Sequence, residues 1–423
     1  MSKSMPHASN QVKDLMSRNT KGVLAVLGCA VAIFWPGALN FSFPGVMAPI
    51  WQEMFHVGRG ATGNTIFFML AAVGIFMFLV GRWQERYGTR IMITIGVILC
   101  SLSVLMVAYA SSILMVYAWA FLTGLASSFV YIPALTTVQW WYPGRKGLVT
   151  GFVSMVFGLS AAIMSPLFGK MLVSMGYVSM NITIALLTMI VGLTGAYFAR
   201  SPEKEEIEAS PSSKRLQQGP SRPSVEPVRS LTVNESLHTR SFWFLWITWS
   251  LAGAAGVSMT ILSTAYGLSK GFSLESSILI LTAFNLTNGT VRLVSGIISD
   301  MIGRNRIMSL AFLAAGIAYF VLPWASSLAA CAFLAAVVGL AFGTLFSVSA
   351  PLVADCFGLK HFGAIFGLAF AAYGLVAGPL GPSLSGYVLD VTGDNFFLVF
   401  LYLGVLYLLS AFCIGRVVPQ SRL

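Results

Sequence analysis

Gly81-Arg82-Trp83-Gln84-Glu85-Arg86-Tyr87-Gly88-Thr89-Arg90 ends one long apolar run and begins the next. Its skeleton, Gly81-x-x-x-Glu85-x-x-Gly88, returns 215 residues later as Gly296-x-x-x-Asp300-x-x-Gly303, within the stretch Gly296 through Arg306. Glycine at or beside a helix end permits a tight turn and close helix approach. The acidic residue can face a helix N-terminus or a basic neighbour. Arg86, Arg90, Arg304 and Arg306 keep such a loop in water. The whole 423-residue chain, these loops included, is 57% hydrophobic and only 9% charged, with a mean hydropathy of +0.82. Soluble domains carry about 25% charged residues, so a soluble enzyme, a DNA-binding protein and a disordered scaffold are excluded. The formal charge of +11 lies between apolar runs and forms no basic patch, so no nucleic-acid partner is expected. Five cysteines without a CxxC or Cys/His pairing point to buried, inert thiols rather than disulfides or a metal site.

A membrane-spanning helix needs about 20 mostly apolar residues. Twelve such runs are present, near 22–48, 61–81, 91–110, 112–139, 147–169, 177–199, 242–265, 275–298, 307–325, 328–352, 362–388 and 396–415. They are numbered spans 1 to 12. The chain divides into an N-terminal tail (1–21), a six-helix bundle (22–199), a linker (200–241), a second six-helix bundle (242–415) and a C-terminal tail (416–423). Of 25 Lys and Arg, 21 fall on the side holding both tails, the linker and the loops at 82–90, 142–146, 304–306 and 360. Arg59, Lys170 and Lys270 lie on the other side, and Arg292 lies inside a span. Positive loops stay cytoplasmic, so both termini are expected in the cytoplasm and the chain in the cell (plasma or inner) membrane. The linker, with its Ser-Pro pairs and Glu203, Glu205, Glu206 and Glu208, reads as a cytoplasmic connection with a surface helix near 201–209.

The two halves repeat. Gly147, Gly151, Gly158 and Pro166 of span 5 recur as Gly363, Gly367, Gly374 and Pro382 of span 11, displaced by 216. A duplicated six-span unit accounts for this displacement and the 215 of the loop. The loop Gly81–Arg90 resembles the loop 2–3 signature of the major facilitator superfamily, with Glu85 where Asp is usual, and Gly296–Arg306 resembles its second copy. The resemblance covers the chain outside the linker and tails. It implies an all-α integral membrane fold of two six-helix bundles, a central site at mid-depth, and rocking between states open to either side. Gly81, Glu85, Arg86, Gly88, Arg90, Gly296, Asp300, Gly303 and Arg304 are then candidates for a latch on the cytoplasmic side. The alternative is that these loops set only topology and packing.

Arg292 lies about 12 Å along span 8 from Asp300, at 1.5 Å per residue. A charge at mid-membrane costs about 2.5–3.5 kcal/mol even on the lenient insertion scale, and none of the 14 acidic residues falls well inside a span. The missing anion is therefore read as the substrate, since a guanidinium suits a carboxylate through two parallel hydrogen bonds. The competing reading is an arginine that snorkels or binds carbonyls. Asn285, Asn288 and Arg292 share one helical face, and the first-half equivalent of Arg292 is Met77, so the charge breaks the symmetry of the repeat.

Arg292, Phe41-Ser42-Phe43-Pro44 of span 1 and Trp141 through Gly151 entering span 5 resemble the monocarboxylate porter and oxalate:formate antiporter branch. In that branch the span-8 arginine binds the substrate carboxylate, which implies that role for Arg292. Asn288 and Gly45 stand where animal monocarboxylate carriers have the Asp and Lys of proton coupling. Tyr373 stands where the oxalate carrier has a second cation. The implied function is secondary transport of small monocarboxylates, lactate or pyruvate in type, with a proton or in exchange. An oxalate- or formate-type exchanger and an exporter of amphipaths are the rival readings, while a receptor or a membrane enzyme finds no supporting residues. Tyr131, Tyr373 and Asn40 are further candidates for the substrate site, whereas Tyr266 is expected at the membrane interface. No cofactor and no metal are expected. The expected partners are a small organic anion, protons and the lipid bilayer, and the expected unit is a monomer.

Overall fold

The computed structural model describes residues 6–142, 145–202, 230–358 and 361–418, and the only regular structure among them is helical. Span 1 is Pro6–Phe41 continued by Phe43–Phe55, with the join at Ser42. Its helix thus begins inside the stretch read as a tail. Spans 2, 3 and 4 are Arg59–Tyr87, Thr89–Ala108 and Ile113–Trp141. Spans 7 to 10 are Arg240–Ser269, Leu274–Ile302, Arg304–Val321 and Leu328–Phe357. Spans 11 and 12 are Phe362–Thr392 and Phe396–Gly415. Eleven described helices are long and apolar enough to cross a membrane, and one of them has 52 residues, Gly147–Phe198. At 1.5 Å per residue it measures roughly 78 Å, more than twice the ~30 Å hydrocarbon core. It turns at Gly176 (φ 77, ψ 170), so it holds spans 5 and 6 and the total is twelve. Outward side chains such as Ile190, Leu310 and Ile317 are exposed, as expected of surfaces that meet lipid.

The repeated loops share a backbone reason. Gly88 (φ 82) and Gly303 (φ 95) each turn the chain between two spans with φ in the region that side-chain-bearing residues avoid. Of the surface helix expected near 201–209, residues 203–209 fall outside those described, and 201–202 are not helical. The linker instead contributes Val233–Leu237, started by a capping box in which Thr232 and Glu235 exchange bonds. Leu231 N–H donates to Phe357 O at 2.9 Å, fastening this segment to span 10.

Each bundle has its own aromatic core. Phe43, Trp51, Trp119 and Phe168 pack together in the first. Tyr266, Tyr319, Phe400 and Tyr407 do so in the second. Tyr266 is buried there and donates to Leu322 O at 2.5 Å. It is a core residue rather than an interfacial one, because this carbonyl, at the turn after span 9, needs a donor away from water.

The bundles meet along two seams that the repeat relates, span 5 on span 8 and span 2 on span 11. Each seam has a glycine-on-glycine crossing. A Cβ at Gly158 would lie 2.6 Å from Gly289 Cα, and one at Gly374 would lie 2.4 Å from Gly74 Cα. Gly74 and Gly289 are themselves repeat mates, displaced by 215. Both seams splay in the same direction. From Gly158, a Cβ at Gly151 would meet Leu293 at 3.3 Å, and one at Gly147 would meet nothing within 4 Å. From Gly374, one at Gly367 would reach only Phe78, at 4.0 Å, and one at Gly363 nothing. The bundles therefore part toward the end that carries the arginine-rich loops, here called the basic end.

The opposite end is shut. Asp390 of span 11 accepts from the N–H groups of Arg59 (2.7 Å) and Gly60 (2.8 Å), which open span 2. Arg59 makes a two-pronged pair with Asp394, at 2.6 and 2.8 Å, and Asn64 donates to Tyr387 at 2.9 Å. A carboxylate at a helix N-terminus meets unpaired N–H groups and the positive end of the helix dipole.

Candidate functional site

Where the wedge closes, the two bundles enclose about 480 Å³ of space free of protein atoms, mouth included. Spans 1, 2, 4 and 5 line it from one half, and spans 7, 10 and 11 from the other. Its polar lining comes from Asn40, Ser127, Tyr131 and Tyr373, and the rest is apolar or aromatic.

Arg292 lies directly behind this wall and is 1% exposed. Its guanidinium carbon is 4.6 Å from the ring centre of Phe346, 5.7 Å from Phe41 and 5.8 Å from Phe157, three rings that line the cavity. Nη1 donates to Ser154 Oγ and Nη2 to Asn288 Oδ1, each at 3.2 Å. Ser154 belongs to the first half, so the guanidinium bridges the span 5–8 seam. Among the described residues no carboxylate pairs with it. Burying an ion costs several kcal/mol. Ring faces return ~2 kcal/mol or more when desolvated, and the two hydrogen bonds contribute further. The account stays incomplete, because Arg292 Nε, Asn288 Nδ2 and the Tyr373 hydroxyl are all buried without a hydrogen-bond partner.

Span 11 is unusual beside the cavity. Tyr373–Ala377 and Pro379–Ser383 are wound as π-helix, a wide turn common at functional sites. Tyr373 opens the first of these turns, with its ring 5.3 Å from Phe346. Tyr131, its ring 4.8 Å from Phe157, reaches Ser154 Oγ at 3.4 Å.

Of the six residues expected to bind substrate, Asn40, Tyr131 and Tyr373 line the cavity, and Arg292 and Asn288 sit behind its aromatic wall. Asn285 is elsewhere. Its Nδ2 donates to Phe41 O at 3.1 Å, stitching span 8 to span 1, and it takes no part in the lining. Ser154, Phe157, Phe346 and Phe370 were missed. One sequence signal was available, since Phe157 and Tyr373 are repeat mates displaced by 216.

The loop residues make their described contacts within their own halves. Arg304 binds Asp355 of span 10 at 2.5 Å and Asp300 at 3.5 Å. Arg90 donates to Tyr197 O at 2.7 Å, and Arg86 stacks over Tyr87. The side chain of Glu85 lies outside those described. A Cβ at Gly81 would meet only Ile132, at 3.8 Å, and one at Gly296 nothing within 4 Å. Asp355 thus completes a charge cluster with Asp300 and Arg304. All five cysteines are buried and unbridged, as expected.

Residues 30–328 and 259–422 match the sequence profile of the Major Facilitator Superfamily. The chain belongs to that superfamily. It is a multi-pass membrane transporter and not an enzyme. Among its relatives, the oxalate:formate antiporter of Oxalobacter formigenes is 26% identical over 294 residues, 69% of this chain and 67% of that protein. Monocarboxylate transporter 14 of Mus musculus is 23% identical over 456 aligned positions, covering 89% and 87%. Monocarboxylate transporter 2 of Rattus norvegicus is 23% identical over 376, covering 84% and 75%. The branch suggested by the arginine and its flanking motifs is thus also the branch of these relatives.

Proposed function

We propose that this superfamily member carries small monocarboxylates of the lactate and pyruvate kind by alternating access, with Arg292 binding the carboxylate. The observation that supports the reading most is a buried guanidinium without a carboxylate partner among the described residues, held behind rings that wall the central cavity. The rings of Phe157 and Phe346 turn aside. The carboxylate takes the two-pronged face of Arg292, and the Tyr373 hydroxyl and Asn288 Nδ2 donate to the remaining oxygen lone pairs. Because Arg292 bridges the span 5–8 seam, loading changes the charge held at that seam, and the difference in stability between loaded states drives the rocking. The Gly81–Arg90 and Gly296–Arg306 loops latch the basic end when the far end opens. Both termini are cytoplasmic, the membrane is the cell membrane, the acid moves with a proton or in exchange, and a single copy of the chain suffices.

The similarity to the Oxalobacter antiporter favours an oxalate- or formate-type exchanger as a second reading. One cation in the site favours a singly charged cargo over oxalate. The test is uptake of labelled lactate and pyruvate into proteoliposomes by the wild type and by Arg292→Gln. Saturable uptake by the wild type and none by the variant is expected. Full uptake by the variant ends the proposal. Faster counterflow with preloaded oxalate than with pyruvate selects the exchanger.

A further inference from the structure

The polar stripe of span 8 has a repeat counterpart of opposite character. Asn285, Asn288 and Arg292, moved back by 215, become Leu70, Val73 and Met77 of span 2. Ser154, moved forward by 216, becomes Phe370. All four counterparts line the cavity. The pseudo-twofold axis that pairs the seams therefore sets a cation with its hydrogen-bonding escort on one side of the chamber. At the matching place on the other side it sets a thioether, two aliphatic chains and a phenyl ring. A cargo with two charged ends would need a second cation in the chamber, and neither this place nor Tyr373 of span 11 supplies one.

We propose that the apolar face of Leu70, Val73 and Met77 selects against dicarboxylates, and that the cargo is a monocarboxylate whose uncharged end is an apolar body lying on that face. This rests on the reading that Arg292 holds the carboxylate. Two further observations bear on it. First, the polar lining is neutral throughout: Asn40, Ser127, Tyr131 and Tyr373 offer hydrogen bonds but no charge. A second carboxylate placed there would lose its water without a cation in exchange. Second, span 2 gives the chamber five apolar side chains, Ile66, Met69, Leu70, Val73 and Met77. An acid with a branched chain or phenyl ring sets carbon against carbon there, and Met suits such a surface because its flexible thioether adapts to rings and chains alike.

The test is equilibrium binding to the purified full chain, followed by tryptophan fluorescence, with pyruvate, 2-oxobutyrate, 4-methyl-2-oxopentanoate, phenylpyruvate and 2-oxoglutarate. Affinity is expected to rise about three- to fourfold per added methylene from pyruvate to 4-methyl-2-oxopentanoate. 2-Oxoglutarate is expected to bind at least tenfold more weakly than 4-methyl-2-oxopentanoate. Met77→Arg, which restores the symmetry, should reverse that order. Met69→Trp, which narrows the same chamber, should lose phenylpyruvate before pyruvate and guards against a misfolded arginine variant. Equal affinity across the neutral-tailed series, or 2-oxoglutarate binding as well as 4-methyl-2-oxopentanoate, overturns the proposal. The underlying carboxylate reading fails separately, if the methyl ester of phenylpyruvate binds like the acid or if Arg292→Gln binds every acid as the wild type does.

Discussion

The span 5–8 seam and the span 2–11 seam are built alike and equipped differently. Both cross at a glycine pair and both splay toward the basic end. One turn from the crossing, the first has Arg292 with Ser154 beside it, and the second has Met77 and Phe370. The shared part is the mechanical frame. The unshared part is the chemistry, so the departures from the repeat mark the cargo site more sharply than its regularities do.

That contrast can be broken at its common part first. Gly158→Ala and Gly374→Ala each force a Cβ against a glycine Cα of the facing span, at 2.6 and 2.4 Å. Overpacking of this kind costs ~1–3 kcal/mol. Both variants should melt at lower temperature in detergent by similar amounts and transport poorly. If only one is harmed, the seams are not mechanical equivalents. A comparable effect is expected from Ser154→Ala, which takes a partner from Arg292 Nη1. Hydrogen bonds to charged groups contribute ~1.5–3 kcal/mol, and this one also joins the bundles, so KM for the acid should rise roughly tenfold and the melting temperature should fall. Ser154→Thr keeps the hydroxyl and should keep most of the uptake. An unchanged KM in the alanine variant would detach the serine from the site.

The smallest effects belong to the shut end. Asp390→Asn removes the carboxylate from the start of span 2, a contribution of ~0.3–1 kcal/mol. Asp394→Asn removes a half-exposed ion pair with Arg59, worth about 0–1 kcal/mol. Both should shift the carrier toward opening at that end. The measurement is thiol labelling of an Asn64→Cys reporter by an impermeant reagent, against a background of five buried cysteines. Labelling should quicken a few-fold in the Asp390 variant and less in the Asp394 variant, with high salt reproducing the latter. No change in either would remove this contact as a seal.

Much of this was readable from the chain itself, for physical reasons. Apolar runs of spanning length, and a duplication preserved at Gly81/Gly296 and Gly158/Gly374, are local signals, as is an arginine surrounded by hydrocarbon. Spans 5 and 6 were separable because Gly176 interrupts a helix too long for one crossing. What was hidden depends on register between distant spans. Phe41, Phe157 and Phe346 come from three spans and meet around one guanidinium only once the bundles are packed. Arg59 finds Asp394 across 335 residues. Asn285 shares a helical face with Arg292, yet a carbonyl of span 1 claims it, which periodicity cannot reveal. The short helix Val233–Leu237 was a different failure, since Thr232-x-x-Glu235 is a start signal visible in sequence.

A lone cation at the junction of the bundles also has an electrical meaning. In the proposed cycle Arg292, at the junction of the bundles, would take the potential of whichever side is open. In the proposed orientation, turning the unloaded carrier from one face to the other moves up to one positive charge through the field, about 2.3 kcal/mol per 100 mV. A bound monocarboxylate cancels that charge and makes the loaded turn electrically silent. An interior-negative voltage would then draw the empty carrier toward the cytoplasm, and the speed of its return, rather than the crossing of the cargo, would carry the voltage dependence of the cycle.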